Sequence, residues 1–137
     1  MAARSVRGSF DTNVLLRFVL NDVSMQTRTL DALLTKGGAY YIEDAALIEM
    51  VFVLEKLYHM PRAAVVDNLL VIIDHEQLVC SKRVFERALP AYVAQLSLSF
   101  MDCMLLAYAR VHKQTPLYTF DKALIKHADG DACDVAK

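Results

Sequence analysis

The chain lacks several features that would each have announced a function. No Gly-rich phosphate loop is present: Gly8, the Gly37-Gly38 pair and Gly130 fit neither nucleotide-binding fingerprint. Three cysteines, Cys80, Cys103 and Cys133, are odd in number and show no CxxC spacing. They read as reduced core residues of a cytosolic protein, not as a disulfide framework. The histidines (His59, His75, His112, His127) lack zinc-like spacing and read as surface residues. Asp129, Asp131 and Asp134 lie close together, but no closing Glu completes a calcium loop. The apolar run Val14 to Leu20 is broken by Arg17 and too short to cross a bilayer, and the first ten residues contain no apolar signal core. The expected location is therefore cytoplasmic, with no membrane contact. A formal net charge of -1 provides no overall basic field for nucleic acid, although a local basic rim would suffice.

What is present is a globular composition, with 55% apolar and 23% charged residues in 137. Without a repeat, a low-complexity tract or a Pro/Gly-rich linker, residues 1–137 are expected to form one domain with its core at about 5–128. Short extended segments alternate with longer helical ones. Strands are expected near 5–10, 39–42, 78–80 and 116–119. Helices are expected near 14–20, 24–35, 45–58, 61–74, 83–96, 100–112 and 122–127, and Gly37-Gly38 closes the second of them. This alternation predicts an α/β fold in which a parallel sheet lies between helices. The first strand is unusually polar, with Arg7, Gly8 and Ser9 in it. Residues 129–137 read as a weak edge strand around Val135 or a flexible tail.

Two apolar stretches each carry one acid. Residues 45–54 contain only Glu49 as an ionisable side chain, and in residues 100–109 only Asp102 is charged at neutral pH. Helices apolar on nearly all sides are usually buried, and a buried carboxylate must be protonated, paired or bound to a cation. Asp11 follows the first strand and Asp121 the fourth by one residue, while Glu49 lies one turn into the helix after the second strand and Asp102 in the first turn of the helix before the fourth. All four are expected at one edge of the sheet, outside the carboxyl ends of strands, where ligands gather. Four clustered carboxylates require neutralisation, and oxygen-only ligands suit Mg²⁺ or Mn²⁺. Each acid also has a structural explanation. Asp11 and Asp121 fit helix N-caps, Ser99 to Asp102 fits a capping box, and Glu49 fits pairing with Arg17.

Four segments in order carry a resemblance. Phe10-Asp11-Thr12-Asn13-Val14-Leu15-Leu16 resembles the opening motif of PIN-domain nucleases, and Ile48-Glu49-Met50-Val51-Phe52-Val53-Leu54 resembles the second acidic motif. Ser99-Phe100-Met101-Asp102-Cys103-Met104-Leu105 and Tyr118-Thr119-Phe120-Asp121 resemble the third and fourth. Order, spacing and chain length are most similar to VapC-type toxins of toxin-antitoxin pairs. The resemblance implies a three-layer α/β/α domain with a central parallel sheet of four or five strands. It implies a Mg²⁺- or Mn²⁺-dependent endoribonuclease, working as a homodimer and inhibited by an antitoxin.

Carried over by motif, Asp11, Glu49, Asp102 and Asp121 are the catalytic and metal-holding acids. Thr12, Asn13, Ser99 and Thr119 are their supporting residues. Ser99 stands where the family often has another acid, which puts a second metal position in question. Lys82, Arg83, Arg87, Arg110, Lys113 and Lys122 are candidate phosphate contacts or simply a solvated face. Val14, Leu15, Phe18, Val19, Leu30 and Leu33 line either an antitoxin groove or, for most of them, the core. A non-catalytic PIN-like module that binds RNA or protein is the alternative. A haloacid-dehalogenase-like phosphotransfer domain would need a second Asp where Asn13 stands.

Overall fold

The computed structural model describes residues 5–136, which form two compact units, one ending at Ser81 and the other starting at Lys82. The first unit contains β1 (Val6–Ser9), α1 (Thr12–Leu20), α2 (Ser24–Thr35), β2 (Ala39–Tyr41), α3 (Asp44–Lys56), α4 (Arg62–Ile73) and β3 (Leu78–Val79). Its strands pair in parallel in the order β1-β2-β3. All four β1 residues are exposed, which accounts for its polar sequence. It is an edge strand, and its register slips between Val6 and Gly8. The central strand instead buries Ala39 and Tyr40, and the Tyr40 ring stacks on Phe10 at 4.6 Å.

Helix packing in this unit follows ordinary amphipathic stripes. On α3, Leu47, Met50, Val51 and Leu54 are buried at the i, i+3, i+4, i+7 spacing of one helical face. On α4, Val65, Leu69, Ile72 and Ile73 line one face at i, i+4, i+7 and i+8. Asn21 closes α1 in the left-handed conformation (φ 54°), and its N–H donates to the Arg17 carbonyl. The α2–β2 turn depends on Gly38, at φ 87°, where a Cβ would collide with the Arg7 side chain. The Gln77 amide fastens the same turn by donating to the Leu34 and Gly38 carbonyls at 3.0 and 3.2 Å.

The second unit contains α5 (Lys82–Ala94), α6 (Phe100–Val111), β4 (Leu117–Thr119), α7 (Lys122–His127) and β5 (Ala132–Asp134). Helices α5 and α6 pack through an aromatic cluster, with the Phe100 ring 5.1 Å from Tyr92 and 6.3 Å from Phe85. Strands β4 and β5 pair in parallel, Leu117 opposite Ala132 and Thr119 opposite Asp134. The tail thus forms a strand, one that starts before Val135 because the small Ala132 buries against this ladder. The chain is a mixed α/β protein with the parallel pairing expected; among the described residues five strands are shared between a three-stranded and a two-stranded ladder. Among the described residues no helix is long and apolar enough to cross a membrane.

Gly38→Ala should lower the unfolding free energy by more than about 1 kcal/mol, since it adds both a collision and a strained φ. Urea unfolding checks this, and an unchanged midpoint would show that the turn tolerates a side chain.

Candidate active site

In the first unit, the acid after β1 is fixed by the helix it starts. Asp11 is the N-cap of α1: its backbone is extended, and its Oδ1 accepts from the Val14 N–H at 2.9 Å. Thr12 points elsewhere, its hydroxyl donating to the Ala46 carbonyl of α3 at 3.4 Å. Ala46 lies one turn before Glu49, so this bond ties the start of α1 to the stretch of α3 that carries the second acid. Asn13 is exposed beside Asp11.

Glu49 overturns one expectation. It is exposed, as is Phe52 on the same helix, and among the described residues no charged side chain is buried. The uniformly apolar sequence of α3 conceals a one-sided stripe, because Phe52 and Ala45 are apolar residues facing solvent. Burial therefore does not force Glu49 to take a partner. Nor is Arg17 its partner, since that guanidinium pairs with Asp22. Among the described residues Glu49 makes no hydrogen bond or ion pair.

In the second unit, Asp102 and Ser99 form a reciprocal capping box on α6. The Asp102 N–H donates to Ser99 Oγ at 3.0 Å, and the Ser99 N–H donates to Asp102 Oδ2 at 3.0 Å. Asp102 is half-buried, not enclosed, because α6 turns Met101 and Leu105 outward. Asp121 is the N-cap of α7, its Oδ1 accepting from the N–H groups of Ala123 and Leu124 at 2.9 and 3.1 Å. Thr119 Oγ1 accepts from the Asp121 N–H at 3.0 Å, which fixes the acid's backbone.

Among the described residues no three His, Cys, Asp or Glu side chains stand together as a ready-made metal site. The donor chemistry nevertheless fits a hard dication. Asp11, Asp102 and Asp121 each use one carboxylate oxygen for a helix cap and keep the other outside it, and Glu49 keeps both. Charge-neutral hard oxygens alone would not attract Mg²⁺ or Mn²⁺ strongly, but carboxylates do.

The cations divide into structural and free. Arg110 belongs to the fold, its Nε donating to Asp131 Oδ2 at 2.7 Å and its Nη2 to the Ala128 carbonyl at 2.7 Å. It joins α6 to the α7–β5 turn and is not available as a phosphate contact. Lys82 lies 3.9 Å from Glu86 in an exposed pair, worth little. Arg83, Arg87, Lys113 and Lys122 are exposed. Formal charge is uneven along the chain: residues 1–81 hold seven Lys/Arg against ten Asp/Glu, and residues 82–137 hold eight against six.

A groove of about 1010 Å³ runs over the first unit between β1, α1 and α2. Val14, Leu30 and Leu33 line it together with Phe10 and Tyr40, and Leu30 is itself buried, as the core reading expected. Leu15 instead is fully buried, and Phe18 packs edge-on against His75 at 5.3 Å. Arg7, Arg17 and Lys36 stand along the groove. No pattern along the chain signals this grouping, since it depends on β1 lying beside α2. Asp11 and Asn13 are also on its wall.

The family model for the PIN domain matches residues 10–130, so the chain belongs to the PIN-domain family. That membership assigns it a nuclease-type function on a nucleic-acid substrate, in a family whose nucleases typically use divalent metals. No curated protein matches the chain in a direct comparison.

Ser99→Ala removes one half of the α6 capping box and should reduce stability by about 1 kcal/mol. Urea unfolding in EDTA measures it. No loss would mean that Asp102 is held by something other than its cap.

Proposed function

We propose that this PIN-domain chain is a Mg²⁺- or Mn²⁺-dependent endoribonuclease and the toxin of a VapBC-type pair. The carboxylate set is Asp11, Glu49, Asp102 and Asp121, acting as one centre in a single functional domain. The observation that supports this most is shared by three of the acids: each caps a helix through one oxygen and keeps the other free. A capped carboxylate is held in place without being neutralised, as a metal ligand must be.

Asp11 and Asp102 would be the principal ligands, with Glu49 and Asp121 completing the set. A bound dication supplies a water of lowered pKa and offsets charge on the phosphorane-like transition state. The chain's own contribution is positional. Val14, Ser99, Ala123 and Leu124 donate backbone N–H groups that orient the acids, and Thr119 sets the backbone of Asp121. No side-chain nucleophile is needed. Arg83, Arg87, Lys113 and Lys122 are the cations free to meet substrate phosphates.

Inhibition by an antitoxin has a physical basis in the groove over the first unit. An amphipathic helix laid there would cover Val14, Leu30 and Leu33 and place its acidic residues near Arg7 and Lys36. Because Asp11 is on the groove wall, the same segment would stand beside a catalytic acid. Pairing of two copies has Met101 and Leu105, exposed on α6, as apolar contacts.

Asp11→Asn and Asp102→Asn should each lower RNA cleavage about 100-fold or more. Both should also abolish the rise in melting temperature that Mn²⁺ produces in EDTA-stripped wild type. Retained cleavage by a pure, folded variant would refute the assignment. RNA binding without any cleavage by wild type in Mn²⁺ would favour a non-catalytic module. For the groove, Leu33→Asp should release inhibition by the protein encoded in the neighbouring reading frame while cleavage stays unchanged. Full inhibition of that variant would move the antitoxin elsewhere.

A further inference from the structure

The fourth motif carries two aromatic side chains that the fold does not use. Phe120 is 77% exposed, the highest value among the large apolar side chains of the described residues, and Tyr118 is 61% exposed. Tyr118 is the middle residue of β4, flanked by the half-buried Leu117 and Thr119, and Phe120 is the first residue past the strand. The backbone that presents them is held on both sides of Phe120. Val135 donates its N–H to the Thr119 carbonyl at 3.3 Å, and the Asp121 N–H donates to Thr119 Oγ1 at 3.0 Å. Asp121 then caps α7. Phe120 is thus an uncovered ring on a tightly fixed backbone, one residue from a candidate catalytic acid. Exposed Lys122 follows directly, in the half of the chain where cations outnumber acids.

We infer that Phe120 and Tyr118 form a stacking platform for unpaired nucleobases of the RNA, an inference that rests on the ribonuclease reading above. An aromatic face accepts any base, and it can take one only from a strand whose bases are not already stacked in a duplex. The platform therefore selects single-stranded RNA and holds a nucleotide next to Asp121, while Lys122 meets a neighbouring phosphate. Phe120 and Tyr118 are positioning residues that do not enter the chemistry. An aliphatic side chain of similar size would keep the apolar surface and lose the stacking, so the two contributions are separable.

The test is binding of a short fluorescent RNA, single-stranded or annealed to its complement, in EDTA so that nothing is cleaved. Phe120→Leu and Phe120→Ala should weaken single-strand binding roughly five- to hundredfold, with Tyr118→Leu adding to the loss, and leave duplex binding and melting temperature unchanged. Phe120→Trp should bind as well as wild type. Because the chain has no tryptophan of its own, quenching of this indole by the single strand reports stacking directly. Wild-type affinity in Phe120→Leu and Phe120→Ala, or an unquenched indole at saturating RNA, overturns the platform. So does a dimer that dissociates on Phe120→Ala with RNA affinity intact, because the rings then cover a second copy. If wild type cleaves RNA while Phe120 proves indifferent, only the platform fails. If wild type neither binds nor cleaves RNA, the ribonuclease reading fails with it.

Discussion

A carboxylate that caps a helix has two oxygens and needs only one of them for the cap. Asp11, Asp102 and Asp121 all stand in this position, each fixed by backbone N–H groups at the start of α1, α6 or α7. Capping had been the structural explanation for these acids, and all three caps are present. The cap stabilises the helix and, by the same hydrogen bond, fixes the direction in which the second oxygen is offered. Alanine at these positions would thus disturb both the helix start and the acid's function. Asn, which still accepts from an N–H, separates the two.

Glu49 obeys a different constraint. It has no cap, and its position follows from the buried face of α3 and from the Thr12 hydroxyl on the Ala46 carbonyl. Three of the proposed acids are thus held by caps, and the fourth is not. The uneven charge along the chain fits the same picture. Acidic excess lies in residues 1–81, and the basic excess, with the free arginines of α5, lies in residues 82–137.

Much of the fold was legible in the sequence. The segments 24–35 and 122–127 form helices with the expected bounds, because an N-terminal cap residue or a glycine pair punctuates each. The polar first strand was legible as an anomaly and is resolved by its place at an edge. What misled was hydrophobicity without direction. In α3 and α6 the solvent-facing positions are filled by Phe52, Met101 and Leu105, so the helices read as buried all round and their acids as enclosed. Arg110 was misread for a complementary reason: its partners, Asp131 and the Ala128 carbonyl, are 18 or more residues away, and only the fold joins them. The acids were singled out both by their apolar surroundings and by motif order, and only the motif order is independent of burial.

The central claim is that the uncapped oxygens of these acids hold a dication. Crystals grown in Mn²⁺ test it most directly through the anomalous signal of the metal. The account predicts a peak bonded to Asp11 Oδ2 and Asp102 Oδ1 at roughly 2.1 Å, with their partner oxygens still in the helix caps. Manganese bound only at other residues, or these carboxylates left without metal at saturating Mn²⁺, would contradict it.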